Sequence, residues 1–471
     1  MTALLAALVS AIMFYLSQGL ADVWTLAWFA PVPLLWLAYG NTSRWQVLLA
    51  SLAAFAAGQI YLVQCYWGQV PPLILAPVVA VFCVVFAIAV LFSGEALRRH
   101  SAWAALVAFP ALWTALEYLI GIVSPHGTAG ALGYAEVSFP AGIQVAALFG
   151  VHAVAFLLCL GASAVALLLR RQWRAGAAGV AVCTLALLFG FVRLAEPEGP
   201  HVRVAALADA DTWHAENREH TLASEEGAAQ TYARDIETLS GVRVVAIPEG
   251  AVRMQENDAQ AVLAPLADAA KASGAMVVTG TFVPTPAQNR AFAFLFDGTV
   301  ETYAKRHLLV PLETGTPGSE PGLLGGGYAT QICKDMDFPR TVRDTAAHGV
   351  RLMIVPANDF GRDGWIHARI AIMRGVENGF AVLRSAFNGV ETITDARGRL
   401  LARAPTAQAG MVVITAAVPL GPGPTLYTRI GDVFPWLCAA VSVLIGVLMC
   451  VRAFAGRRGL TSGSASLHSS P

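Results

Sequence analysis

Three residues in this chain could together carry out acyl transfer. Glu249 closes the run VVAIPEG, Lys305 lies in ETYAKRHLLVP, and Cys333 lies in YATQICKDMDFP. Each segment is a β-rich run that ends in, or runs into, a charged residue. Strand ends are where a layered α/β fold presents groups to a ligand crevice. A thiol becomes a good nucleophile when a base takes its proton or a cation stabilises the thiolate. Glu249 suits the base. Lys305 suits the cation, for the thiolate and for the oxyanion of a tetrahedral intermediate. None of the three is diagnostic alone. A lone Cys is usually packed core, a Glu in a turn is often a cap, and a strand Lys is usually solvated. Glu313, Lys334 and Asp335 are candidate supporting residues, and the plainer reading is that they neutralise one another, Lys305 and Arg306. Asn358 and Asp359 are candidates too, with turn-shaping as the default for that pair.

The remaining six cysteines lie in or at the edge of apolar runs, where Cys acts as a small buried hydrophobe. With no CxxC and no Cys/His spacing, neither a disulfide framework nor a metal or organic cofactor is expected. The chain has 471 residues, 56% hydrophobic and only 13% charged. Soluble domains run nearer about 45–50% apolar and about 25% charged. That shift points to several membrane spans. A formal net charge of zero gives no bulk attraction to nucleic acid.

Apolar runs of near-spanning length occur at 3–18, 24–39, 46–63, 70–93, 103–122, 143–169, 175–194 and 433–451, each close to the roughly 20 residues that cross about 30 Å of hydrocarbon. The first lacks a basic leader and reads as a retained helix. Connections carrying Arg44, Arg98 with Arg99, and Arg170, Arg171 with Arg174 alternate with connections that hold no Lys or Arg. The basic side is cytoplasmic by the positive-inside rule, with Arg193 a single dissenter. The expected organisation is a seven-helix membrane domain over 1–194, a catalytic domain outside the membrane over 195–432, a last helix over 433–453, and a disordered cytoplasmic tail over 454–471. Within 195–432, strands are expected at 202–208, 242–248, 275–282, 291–296, 328–334, 351–356, 381–386 and 410–417. Helical patterns fill 216–239, 258–273 and 365–378, and a hairpin turns at Asp395–Gly398. Glu117, inside an apolar run, is either functional or a structural hydrogen-bond partner. Tyr66 and Trp67 read as aromatic belt.

Glu after one strand, Lys in a following strand and Cys at the end of a third resembles the nitrilase (carbon–nitrogen hydrolase) superfamily. Placed before the last helix of an eight-helix membrane protein, the set is similar to the apolipoprotein N-acyltransferase family. VVAIPEGAV, YAKRHLLVP, ICKDMDFP, NDFGRDGWIHARIAIMRGVENGFAVLRSAFNGV and, in the membrane part, LWTALEYL, LGYAEV and QVAALFGVHAVAFLL carry the resemblance. It implies an eight-helix membrane bundle joined to an αββα sandwich, in the bacterial inner membrane with the catalytic domain on the periplasmic side. It also implies an acyl chain taken from a phospholipid onto Cys333 as a thioester and passed to the α-amine of a lipoprotein's S-diacylglyceryl cysteine. Glu249 would be general base, Lys305 the electrostatic stabiliser, Asp335 the family's acidic residue two places after the Cys, and a monomer is expected. The chain departs from the family pattern in five places, one of them Ile120 after Glu117-Tyr118-Leu119, where an Arg is common. Lys334 follows the nucleophile where Tyr is usual. Glu313 comes one place early. The stretch from Glu313 to Cys333 is short. Phe360 follows Asn358-Asp359 in place of Ala-Trp. These departures keep an alternative in view, a membrane-tethered amidase that uses the same three residues with water as acceptor. A scaffold with a dead domain is disfavoured by the intact set. Because water must be kept from a thioester, a lipid-lined cavity is expected between the domain and helices three to six.

Overall fold

Alternating apolar positions build the extramembrane half. In β2 (Val244–Arg253), Val244 and Ala246 face one core while Val245 and Ile247 face another, the period of two that a strand buried on both faces demands. β8 (Leu352–Asn358) repeats this, with Leu352 and Ile354 on one side and Met353 and Val355 on the other. Two six-stranded sheets result, in a computed structural model describing residues 1–211, 220–310, 312–408 and 410–463, with side chains to Arg452.

The first sheet runs β12-β1-β2-β3-β4-β5 and the second β11-β10-β9-β8-β7-β6. Their strands are β1 His201–Asp209, β3 Met276–Pro284, β4 Ala287–Phe294, β5 Val300–Ala304, β6 Leu323–Gly325, β7 Tyr328–Thr330, β9 Ala381–Phe387, β10 Val390–Thr394, β11 Leu400–Pro405 and β12 Met411–Pro419, besides β2 and β8. β1, β2 and β3 are parallel, as are β7, β8 and β9. The sheets share an apolar layer that includes Val204, Val278, Ala293, Ile332 and Leu383. Helices Leu222–Thr238 and Ala259–Ser273 cover the first sheet, and Pro339–Ala346 and Gly364–Asn378 cover the second. The order of layers is αββα. The expected start of the first of these helices at 216 lies outside the described residues. The hairpin turns where expected, with the Gly398 amide donating to the Asp395 carbonyl.

Among the described residues, six helices are long and apolar enough to cross a membrane: Arg44–Tyr66, Pro72–Arg99, Ala102–Val123, Val151–Leu169, Trp173–Leu194 and Val433–Arg452. Three expected spans take other forms, the first a helix of only 17 residues, Thr2–Gln18. The run at 24–39 divides into a 3₁₀ turn, Trp24–Trp28, and a short helix, Val32–Ala38, because Pro31 and Pro33 supply no backbone N–H and restart the helix. The run at 143–169 breaks at Gly150 (φ 77°), so its spanning helix begins at Val151. The last helix continues to Gly463, past the expected start of a disordered tail at 454, and 464–471 lie outside the described residues. Cys450 is exposed, unlike the other five membrane cysteines.

The basic connections meet at one end of the bundle. Glu95 pairs with Arg44 (2.7 Å), Arg98 (2.8 Å) and Arg99 (2.8 Å). The α/β domain sits at the other end, held in part by Gly364–Asn378. Arg369 donates to the Gln18 carbonyl (2.8 Å) and pairs with Asp22 (3.3 Å), and Trp365 donates to Asp22 (2.9 Å). Arg374 donates to the Tyr134 hydroxyl, and the Val151 amide donates to Glu377 (2.6 Å). Glu117 accepts from the Leu132 amide (2.8 Å) and lies 3.3 Å from His152, which makes it a structural hydrogen-bond partner.

Candidate active site

The three candidate residues come from two sheets and meet in one place. Glu249 lies inside β2, at the irregularity between Ile247 and Val252 where pairing with β3 shifts, and bulges of this kind re-aim a side chain. Gly280 on β3 makes room for it, since a Cβ there would lie 2.5 Å from the Glu249 Cα. Lys305 is the first residue past β5. Cys333 lies three residues beyond β7, a strand shorter than expected, and opens a 3₁₀ turn, Cys333–Asp337. Its φ of 43° is left-handed. A non-Gly residue rarely adopts that conformation unless its surroundings over-determine it, and such residues cluster at active sites.

Lys305 Nζ donates to Glu249 Oε1 and to Glu313 Oε1, both at 2.7 Å. Asn289 Nδ2 donates to the same Glu249 oxygen at 2.5 Å. The Glu313 carboxylate also closes its own loop by accepting from the Leu309 amide at 2.8 Å. The thiol donates to the Asn358 carbonyl at 3.5 Å, and the Glu249 carboxylate acts on it electrostatically. Lys305 is 1% exposed and Glu249 4%. An ammonium so buried persists only because two carboxylates compensate it.

Burial pushes the Glu249 carboxyl up to about 7, with the Lys305 ammonium pulling the other way. Burial, then the Glu249 carboxylate, raises the Cys333 thiol well above its ordinary value, against Lys305. Burial would depress Lys305, but Glu249, Cys333 and Glu313 together hold it above its usual value. The resting sulfur is therefore a thiol beside a carboxylate whose proton affinity suits neutral pH, which is the arrangement of a nucleophile with a general base.

The other candidates divide. Asp335 is fully buried and does not line the cavity. Its oxygens accept from the Tyr303 hydroxyl (2.8 Å) and from the Ile332 (3.1 Å), Arg306 (3.0 Å) and His307 (2.8 Å) amides. It ties the Lys305 loop to the Cys333 turn, and burial raises it to about 6. Asp359, on the cavity lining, pairs with Arg384 at 2.5 Å. Asn358 serves through its carbonyl. Lys334 reaches into the cavity, its Nζ 3.2 Å from His126 Nδ1.

A cavity of about 770 Å³ opens over these groups. Its floor is Glu249, Lys305, Cys333 and Asn358. Its far wall is apolar, with Phe55 and Leu62 from Arg44–Tyr66 and Ile74, Val78 and Phe82 from Pro72–Arg99. That cavity lies where one was expected, though its helical wall comes from these two spans. Tyr66 belongs to it rather than to an aromatic belt, its hydroxyl 3.4 Å from His367 Nε2. Asn289, His126 and His367 went unread in the sequence. Only Asn289 left a signal, a polar residue in step with buried Ala291 and Ala293 on one face of β4.

The comparisons follow the same division of the chain. A family model described as the apolipoprotein N-acyltransferase N-terminal domain matches residues 10–164, and one described as carbon-nitrogen hydrolase matches 203–422. The apolipoprotein N-acyltransferase of Geobacter metallireducens is 26% identical over 94% of this chain and 94% of its own. That of Vibrio cholerae is 25% identical over 88% of this chain and 91% of its own. The chain belongs to the apolipoprotein N-acyltransferase family. Among solved structures, an amidase from Nesterenkonia sp. shares 20% identity over 50% of this chain and 95% of its own, with a TM-score of 0.37. As an apolipoprotein N-acyltransferase family member the chain pairs a membrane bundle with a carbon–nitrogen hydrolase domain, and the cavity described above lies where the two meet.

Proposed function

We propose that this protein transfers an acyl chain from a phospholipid, through a thioester on Cys333, to the α-amine of a diacylglyceryl lipoprotein. The observation that carries this is the cavity itself. One chamber joins a half-buried thiol, its base and its cation to the apolar faces of two membrane helices.

In the first half-reaction the Glu249 carboxylate takes the thiol proton as Sγ attacks the ester carbonyl. The Lys305 ammonium stabilises the oxyanion. Collapse breaks the ester C–O bond, and Glu249 returns the proton to the departing glycerol oxygen, releasing a lysophospholipid. In the second, the lipoprotein amine attacks the thioester and gives its proton to Glu249. The C–S bond breaks, an amide remains, and the thiol is regenerated. Glu313 positions Lys305, and Asp335 fixes the loop that carries it.

Eight segments cross the inner membrane in this reading: the six long helices, Thr2–Gln18, and the broken segment over 24–38. The basic end faces the cytoplasm and the catalytic domain the periplasm. The protein acts as a monomer. The family-named relatives and the apolar wall favour acyl transfer over hydrolysis of a small amide.

Incubation of the full chain with phospholipid, followed by intact mass, tests this. An added acyl mass on Cys333 that a lipoprotein peptide amine then discharges is the expected result. An unmodified Cys333, where a family member of established activity is acylated, would sink it.

A further inference from the structure

Two lysines reach the cavity, and their surroundings differ. Lys305 is compensated by two carboxylates at 2.7 Å. Lys334 is nearly as buried, at 5% exposed, yet among the described residues no carboxylate lies within 4.0 Å of its Nζ. Its contact is His126 Nδ1 at 3.2 Å. Burial, then Lys334 itself, pulls that imidazole down to about 4, so it is a neutral acceptor and not a counter-ion. Asp337 lines the same cavity and acts on Lys334 from beyond ion-pair range. His367, also on the cavity, is already committed to Asp363 at 3.0 Å. A buried ammonium without a contact anion is costly, and one that faces a cavity suits an anionic group on the occupant.

Position narrows the choice of anion. Helix Ala102–Val123 is long enough to cross a membrane, and His126 lies just past its end. The loop that bears His126 is clamped to the Cys333 turn. Thr128 donates to the Asp337 carbonyl from both its amide and its hydroxyl at 2.9 Å, and Gly127 (φ 52°) lies so close that a Cβ would sit 2.3 Å from that oxygen. The Lys334–His126 pair thus sits where a spanning helix leaves the hydrocarbon, at the depth of lipid phosphates. The charges that act most on the thiol are those of Glu249, Lys305, Asp359 and Arg384, so Lys334 is not chiefly a partner of the sulfur.

We propose that the Lys334 ammonium binds the phosphate of the phospholipid donor, so that this chain selects its donor by phosphodiester as well as by acyl chain. The inference rests on the acyl-transfer reading above. Adjacent Cα atoms are about 3.8 Å apart, and the phosphate of a glycerophospholipid lies only a few bonds from its ester carbonyls. An ester over Cys333 therefore brings its phosphate within reach of the Lys334 side chain. The acceptor amine, a cation before it reacts, is not recognised there.

Single-turnover acylation of Cys333 in the full chain, in detergent, tests this with phosphatidylglycerol and with a diacylglycerol of the same chains. Wild type favours the phospholipid. Lys334→Met lowers that preference about tenfold or more, the scale of a lost charged hydrogen bond, and Lys334→Arg keeps it. A preference that Lys334→Met leaves alone, or one that the Met and Arg variants lose equally, overturns the phosphate site. Should the Met variant fail to fold, soluble glycerophosphoglycerol gives a second measurement on wild type. It raises the apparent KM for phosphatidylglycerol where glycerol does not, and equal effects overturn the inference. Absence of any adduct from either lipid on wild-type Cys333 overturns the acyl-transfer reading instead.

Discussion

The two sides of the cavity are built on opposite principles. On the floor and just behind it, polar atoms hold one another in place: one Glu249 oxygen receives both Lys305 and Asn289, and behind them four donors converge on Asp335. On the wall, Phe55, Leu62, Ile74, Val78 and Phe82 present apolar surface without directional bonds. A floor of this kind fixes geometry to fractions of an ångström, as bond-making requires. A wall of this kind selects by volume and tolerates variation in its occupant. Chemistry and substrate range should therefore respond to different substitutions.

The largest effect is expected on the floor. Cys333→Ala should abolish the acyl adduct altogether, as read by intact mass. Lys305→Met should slow acylation by about 10²–10³. It should also cost stability on the order of 3–5 kcal/mol, because Glu249 and Glu313 are left facing each other without a cation. Thermal unfolding measured beside single-turnover rates separates the two losses, and an undiminished melting temperature would argue against the buried pairing. On the wall, Val78→Trp should fill space and shift the preference toward shorter acyl chains. At about 0.8 kcal/mol for each methylene excluded, the profile should move roughly fourfold per carbon while the rate with short chains changes little. A uniform loss across chain lengths would erase the proposed contrast between floor and wall.

The pH dependence gives a smaller, graded test. Glu249 must be ionised to act as base, and its carboxyl is pushed up to about 7. Acylation should rise as the pH climbs through that value and then level off. Stability moves the other way. A carboxyl whose folded value lies above the ordinary 4.5 contributes fully below that ordinary value, and the contribution is lost as the pH rises through about 7. A rate that is flat between pH 5 and pH 8 would show that another group takes the proton.

How much of this was legible in the sequence also divides by side. Glu249, Lys305 and Cys333 could be read because the three motifs that carry them resemble one family pattern together, although Glu249 lies inside β2 rather than at its end. The role of Asp335 as a brace could not, since it depends on backbone amides of a loop some thirty residues away. The wall was the harder part. Apolar periodicity identifies a spanning helix but not which face meets a neighbouring domain, so Phe55 and Phe82 looked like any lipid-facing residue, and Tyr66 like an interfacial anchor. The run at 24–39 read as one span by composition, while Pro31 and Pro33 had already decided otherwise. His126, alone in a polar connection, carried no mark of the lysine it meets more than two hundred positions later.

Helix Pro72–Arg99 has 28 residues, or about 42 Å at 1.5 Å per residue, against a hydrocarbon layer of about 30 Å. Its N-terminal turns carry Ile74, Val78 and Phe82 along the wall of the cavity that Cys333 also lines. A fatty chain drawn from the leaflet can climb that oily rail to the reaction centre without becoming wetted on the way. Shortening the helix by a turn or two would leave the catalytic residues untouched and strand them out of their substrate's reach.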